Sequence, residues 1–204
     1  MKPRERILEA ADELFGANGF DATTTREIAE VSEVNKALIH YHFKSKEGLL
    51  GSLLDRYYEE LGRTVQGSLA GEGSLRERML RLVDTYVDFL GANRNFGRIV
   101  QREASGGKHM DQIRAHMRPL FALGTQLVES IYPSTREGDL AAAQVLTSFY
   151  GMVVGYFTYA DLLEDLFGTD PMSPVQFEAR KVHLRQMVNI TLDAIEARES
   201  GGAQ

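Results

Sequence analysis

The stretch Thr24-Thr25-Arg26-Glu27-Ile28-Ala29-Glu30-Val31-Ser32-Glu33-Val34-Asn35-Lys36-Ala37-Leu38-Ile39-His40-Tyr41-His42-Phe43-Lys44-Ser45-Lys46 contains three helix starts in 23 residues. Thr24 followed three residues later by Glu27 is a capping box, in which the hydroxyl accepts from the Glu27 amide and the carboxylate reaches back to the Thr24 amide. That predicts a short helix over about 25–31, with Ile28 and Ala29 inward. Asn35 is an N-cap for a second short helix, from Lys36 to about His42, with Leu38 and Ile39 available to a core. Ser45 caps a third, longer helix. Two short helices joined by the turn Ser32-Glu33-Val34 form a helix-turn-helix.

The second half of this stretch is locally cationic. Val34 to Lys46 holds three lysines, two histidines, one tyrosine and no carboxylate, in a chain of net charge −6. Lysines that neutralise phosphates release condensed counterions, and hydroxyl and imidazole groups add hydrogen bonds to the backbone of a nucleic acid. Residues 1–50 as a whole carry seven Lys/Arg against nine Asp/Glu, so the positive charge is concentrated rather than general. This excludes a protein coated in nucleic acid and fits one that touches DNA with a single face.

Upstream, Ile7, Leu8, Ala11, Leu14 and Phe15 form the apolar stripe of a first amphipathic helix, which Pro3 opens and Asn18-Gly19 stops. Gly19 suits the positive-φ backbone after a helix end, and Phe20 is expected to fold back on the stripe. Downstream, Leu49, Leu50, Leu53, Leu54, Tyr57, Tyr58, Leu61 and Val65 keep helical period, and Gly67 to Ser74 read as a Gly/Ser-rich loop. Further helices are expected at about 74–92, 95–104, 110–131, 137–167 and 174–198. The fold class is therefore all-α. The boundaries expected are a DNA-binding domain over 1–46 and a ligand-binding and dimerisation domain over 47–204, with 47–66 as the connector.

The chain has 204 residues, 43% hydrophobic and 25% charged, an ordinary globular balance. It has no cysteine, so it has no disulfide framework and no thiolate metal site. No apolar run is long enough for a membrane span and the first residues are unlike a secretory signal, which gives the expectation of a cytoplasmic protein. No cofactor motif and no metal site are expected. His40 and His42 diverge on a helix, and His109 and His116 share a face with only Asp111 near them.

The string Ile7, Ala10-Ala11, Leu14-Phe15, Gly19-Phe20, Thr23-Thr24, Ile28-Ala29, Val34-Asn35-Lys36, Leu38-Ile39, Tyr41-His42-Phe43, Ser45-Lys46 and Leu49 resembles the DNA-binding region of TetR-type (tetracycline-repressor-like) bacterial transcriptional regulators. The resemblance implies an all-helical homodimer with an N-terminal three-helix reader, a C-terminal helical regulatory domain, and a four-helix dimer interface from the last two major helices. Two positions depart from the pattern. Ser32-Glu33 stands where the family usually has Ala-Gly, and a glutamate at positive φ costs about 1 kcal/mol. His40 stands where many relatives have tyrosine.

In a helix-turn-helix the start of the second helix faces base edges while flanking groups hold phosphates. The DNA-binding residues expected are Thr25, Arg26, Asn35, Lys36, Ala37, His40, Tyr41 and Lys46. For an effector pocket the candidates are Phe96, Val100, Glu103, Phe121, Tyr150 and Phe157, although the same apolar residues would serve equally as core. Arg102 and Glu103 lie beside an apolar face and must be paired, hold something, or sit at the surface. Gly151 and Gly155, four apart on a segment apolar nearly all round, are candidates for a dimer interface with Met187 and Ile190.

These readings converge on a ligand-responsive transcriptional regulator rather than an enzyme. It would be a repressor bound as a homodimer to a palindromic double-stranded DNA operator and released by a small-molecule effector. The alternatives are a helical small-molecule-binding or protein-interaction module without DNA binding, and a small all-α enzyme using His109, His116 or Glu103.

Overall fold

The computed structural model describes residues 1–106 and 109–201, the side chains of 105 and 106 excepted. Its elements are α1 (Pro3–Asn18), α2 (Thr25–Val31), α3 (Lys36–Phe43), α4 (Lys46–Ala70), α5 (Leu75–Ala92), α6 (Arg94–Gly106), α7 (Met110–Ile131), a 3-10 turn (Pro133–Arg136), α8 (Ala142–Thr158), α9 (Ala160–Phe167) and α10 (Pro174–Gly201). No strand occurs among the described residues. The chain forms two compact units, one of residues 1–61 and 93–116, the other of 62–92 and 117 onward, so α4 and α7 each contribute to both. Compactness thus does not break at residue 46, where the sequence suggests a functional boundary.

In the first unit, Ile7, Leu8, Ala11 and Phe15 of α1 are buried with Ile28, Ile39 and Phe43 of the next two helices and Leu49, Leu50, Leu53 and Leu54 of α4. Each such side chain larger than alanine contributes about 1.5–3 kcal/mol on leaving water. Phe20 does fold back, its ring centroid 5.4 Å from that of Phe15. Gly19 has φ 87° and ψ 163°, a backbone open essentially to glycine alone. A Cβ on Gly16 would lie 2.5 Å from the Asn95 side chain, so the bare glycine lets α6 seat on α1. The Asn95 amide and the Tyr57 hydroxyl both donate to Asp12, at 3.2 and 2.5 Å. Burial and the Asp12 carboxylate push the Tyr57 phenol well above its ordinary range.

In the second unit α5 lies along α10. Val83, Val87 and Leu90 are buried, as are Leu184, Val188, Leu192 and Ile195. Ion pairs run along the same contact: Arg76 to Asp193 at 2.7 Å, Arg185 to Asp84 at 2.8 Å and Lys181 to Asp88 at 2.8 Å.

Two sequence expectations are corrected. Gly67 to Ala70 are helix, not loop, because Leu69 is buried and the Ser68 hydroxyl bonds both the Thr64 carbonyl and the Thr85 hydroxyl. Tertiary packing there overrides the weak propensity of Gly and Ser. Residues 137–167 are not one helix. Gly138 takes φ +86°, and Tyr159, at φ −107° and ψ 23°, separates α8 from α9.

Candidate nucleic-acid interface

The reader helices are set by their caps. The Thr24 amide donates to the Glu27 carboxylate at 2.7 Å, and the Glu27 amide donates to the Thr24 hydroxyl at 3.2 Å. Those Thr24 bonds, backbone first, hold the Glu27 carboxyl below the usual glutamate range. The Asn35 side-chain oxygen accepts from the Ala37 amide at 2.8 Å, and the Ser45 hydroxyl accepts from the Gly48 amide at 3.1 Å. All three caps fall where the sequence places them.

The turn between the readers is a Schellman motif. The Val34 amide donates to the Ala29 carbonyl at 3.0 Å and the Glu33 amide to the Glu30 carbonyl at 3.2 Å. That geometry requires a positive φ at residue 33, and Glu33 adopts +52°. The far end of α3 is tighter still. The Ser45 amide donates to the Phe43 carbonyl at 2.8 Å around Lys44, which has φ 67° and ψ −44°: a γ-turn of the rare, strained hand. Immediately beyond, a Cβ on Gly48 would lie 2.2 Å from the Phe43 carbonyl oxygen, so α4 can start this close to the end of α3 only with glycine there.

These constraints gather Thr25, Lys36, Ala37 and His40 around one open depression of about 390 Å³, together with Lys44 and Ser45. Tyr41 stands 70% exposed, with the His42 ring edge-on at 5.0 Å. The Lys44 ammonium folds back to the Tyr41 carbonyl at 3.2 Å. Arg26 is exposed and pairs with Glu30 at 3.0 Å, a surface pair that a phosphate can exchange at little cost. Asn35 spends its side-chain oxygen on the cap, leaving the amide NH₂ outward. Lys46 is placed differently from the rest. Its ammonium donates to the carbonyls of Phe20 and Thr23, both at 2.8 Å, and lies 4.3 Å from the centre of the Phe20 ring, leaving one proton for a phosphate.

Matches to family models cover residues 7–53, with the bacterial regulatory proteins of the tetR family, and residues 76–188, with the tetracycline-repressor-like C-terminal domain. The chain belongs to the TetR family. It is 36% identical over 107 residues to the "Probable HTH-type transcriptional regulator YttP" of Bacillus subtilis, an alignment that spans 52% of each chain. With the uncharacterized HTH-type transcriptional regulator YvkB of the same organism it shares 28% identity over 166 residues, 78% of this chain and 84% of that one. Among solved structures, a TetR-family transcriptional regulator from Bordetella parapertussis superposes over 91% of this chain and 93% of its own with a TM-score of 0.73, a likeness of fold at 21% identity.

Several positions that matter in this TetR-family chain escape a reading of the sequence. Thr23 is wholly buried, its hydroxyl donating to the Gly19 and Leu14 carbonyls at 2.8 and 3.2 Å. Arg102 caps the C-terminus of α1, with contacts of 3.2–3.4 Å to the carbonyls of Phe15, Gly16 and Ala17. Its one signal in the sequence is a charge beside an apolar stripe. Glu103 is hydrogen-bonded to His109, whose ring sits edge-on to Phe20 at 4.9 Å. His116 bonds Asp55 at 2.8 Å instead, so the two histidines go to different partners.

The six pocket candidates are not brought to one cavity within either unit. Phe96 packs at 4.9 Å on Tyr57 in the first unit, which also holds Val100 and Glu103. Phe121 pairs with Tyr150 at 5.5 Å and Phe157 with Tyr156 at 5.7 Å in the second. The second unit has its own small apolar cavity, lined by other residues of α5, α7, α8 and α10. Of the interface candidates, Ile190 is 50% exposed, and added Cβ atoms on Gly151 and Gly155 would meet nothing within 4 Å in this chain.

Proposed function

We propose that the chain is a ligand-responsive repressor, binding a palindromic operator as a homodimer and released from it by a small-molecule effector. The observation that carries the DNA half is the gathering of Thr25, Lys36, Ala37 and His40 around one open depression at the start of α3. Lys36 and Ala37 lie in the first turn, where a recognition helix meets base edges. Lys36 offers an ammonium to guanine O6/N7, and Ala37 a methyl to thymine. Thr25, Arg26, His40 and Tyr41 flank them as phosphate and sugar contacts, with Asn35 and Lys46 chiefly fixing register.

The dimer reading rests on exposed faces. Ala142 and Val153 are buried on apolar α8, while Gly151 is exposed, and Val182 and Ile190 on α10 are 55% and 50% exposed. A two-fold dimer paired through these helices, with Met187 beside them, needs its two reader helices about 34 Å apart, or somewhat more, to meet successive major grooves of a palindromic site. Effector binding in the second unit then favours a dimer whose reader spacing misfits the operator, and α4, which contributes to both units, carries the displacement. No helix among the described residues is long and apolar enough to cross a membrane. The proposed place of action is the cytoplasm, where the operator is.

A binding selection over genomic fragments tests the reading and yields the operator at once. Binding that weakens steeply with salt and collapses in Lys36→Glu is the expected result. Recovery of no fragment above background by the wild-type dimer would sink it.

A further inference from the structure

Three rings follow one another at the C-terminal end of α3, and a cation stands at each end of the row. The Lys44 ammonium lies 5.9 Å from the centre of the Tyr41 ring, the Tyr41 and His42 centroids are 5.0 Å apart, and those of His42 and Phe43 are 6.1 Å apart. The row closes on the Arg4 guanidinium, 5.4 Å from the centre of the Phe43 ring. Arg4 belongs to the first turn of α1, so a second helix brings charge to the edge of the reader.

The charge of Arg4 is uncommitted, unlike that of its neighbours. Arg6 reaches Glu33 at 3.9 Å, Arg26 pairs with Glu30 at 3.0 Å, and Lys46 donates to the Phe20 and Thr23 carbonyls. Glu5, next to Arg4 in the sequence, accepts from the Lys2 amide at 3.1 Å. Among the described residues Arg4 pairs with no carboxylate and donates to no acceptor. It is exposed, while the Phe43 ring against which it rests is buried. The quadrupole of that ring attracts the cation and restrains it without consuming an N–H group. A guanidinium so placed keeps its whole fork for a phosphate, which it can bind through two parallel bonds.

Groove dimensions exclude a base edge as the partner of Arg4. Arg4 is carried on a helix, about 10–12 Å across with its side chains, which is too broad for a minor groove about 6 Å wide. In the major groove the base edges meet the start of α3, at Lys36 and Ala37. The eight residues of α3 span about 12 Å, close to the width of that groove. A helix that starts at the base edges therefore ends near the bordering strand, and Phe43 is its last residue.

We infer that Arg4 binds a phosphate of the strand bordering the groove that α3 enters, with Phe43 as its positioning residue. The inference rests on the chain being a DNA-binding regulator. It adds α1 to the elements that touch the duplex, through a contact that carries no sequence information of its own.

The test uses the full-length chain, an operator duplex recovered by the fragment selection, and a scrambled duplex of the same length. Arg4→Met keeps a flexible side chain beside the ring and removes the charge. It is expected to weaken binding to both duplexes by the same factor, at least about fivefold, and to lower the salt slope by about one for each subunit bound. Arg4→Lys returns the charge and with it the wild-type slope. A scan of single methylphosphonates through the operator then finds the partner: neutralising that phosphate weakens the wild type and leaves Arg4→Met unmoved. The Tm of Arg4→Met is expected within about 2 °C of the wild type, which separates a lost contact from a lost fold. Arg4→Gln takes its place in every comparison if it melts lower. An unchanged salt slope, a loss confined to the operator, a slope lost in Arg4→Lys as well, or undiminished losses in Arg4→Met at every methylphosphonate overturns the assignment while leaving the regulator reading in place. A wild-type chain from which the selection recovers no fragment overturns that reading, and the assignment with it.

Discussion

Glu33 and Lys44 bracket the reader helix α3, and they are the non-glycine residues with positive φ among those described, at +52° and +67°. Strain is thus concentrated at the two ends of the helix that would meet DNA, and at neither end is it relieved by the residue type. Each end makes a separate experimental claim.

Glu33→Gly is expected to stabilise the fold by about 1 kcal/mol, because glycine adopts the left-handed backbone of the Schellman turn without a Cβ penalty. For a chain of this size that is a rise in Tm of about 2–4 °C. Glu33→Ala keeps the Cβ and is expected to give no such rise. Parallel thermal scans of the three proteins decide the matter: equal Tm for the alanine and glycine variants would show that the backbone is not the cause.

Lys44→Gly separates stability from binding. Relief of the γ-turn raises stability by about 1 kcal/mol, while loss of an ammonium from the rim of the Thr25–Lys36–His40 depression weakens operator binding and flattens its salt dependence by about one unit of slope. The measurement is a Kd series over salt concentration beside a denaturation curve. A variant that gained stability with unchanged salt slope would remove Lys44 from the DNA interface.

What could be read from the sequence divides along a physical line. Caps are local: Thr24, Asn35 and Ser45 satisfy amides two or three residues away, and all three stand in the structure as the sequence implies. The strain at Glu33 is also legible, because the family resemblance puts glycine at that position of the turn. Lys44 gave no such sign, since its conformation follows from how closely Gly48 lets α4 approach Phe43, a relation between two helices. The end of α4 is illegible for the same reason, the deciding partner of Ser68 being Thr85 on the next helix. The cavity was illegible because its wall is drawn from Met79 to Ile195 in residues that look like any core, whereas the conspicuous aromatics pair with one another.

Lys36 and Lys46, both expected at the DNA, should part company when each is replaced by methionine. Lys36 is exposed, so Lys36→Met changes stability by no more than about 0.5 kcal/mol while weakening operator binding. Lys46 holds the Phe20 and Thr23 carbonyls through charge-assisted bonds, and Lys46→Met leaves both acceptors without that donor. A loss of about 2 kcal/mol follows. Urea denaturation distinguishes the two, and a Lys46→Met protein as stable as the wild type would show that its brace carries no weight.

The cap of α2 makes the reader sensitive to acid. Glu27 has a folded pKa held below the ordinary range, first by the Thr24 backbone bond and then by the Thr24 hydroxyl. With a depressed folded pKa, the unfolded chain binds the proton more readily. The carboxylate's contribution is therefore fully present above the unfolded value of about 4.3 and is lost as the pH falls from there through the lower folded value. Glu27→Gln keeps the shape of the capping box but removes the charge, so it is less stable than the wild type at pH 7, and the gap closes below about pH 4 as the wild type's own carboxylate protonates. Unfolding curves for both proteins from pH 7 to 3 test this. A gap that stayed constant across that range would mean the charge is not what Thr24 holds.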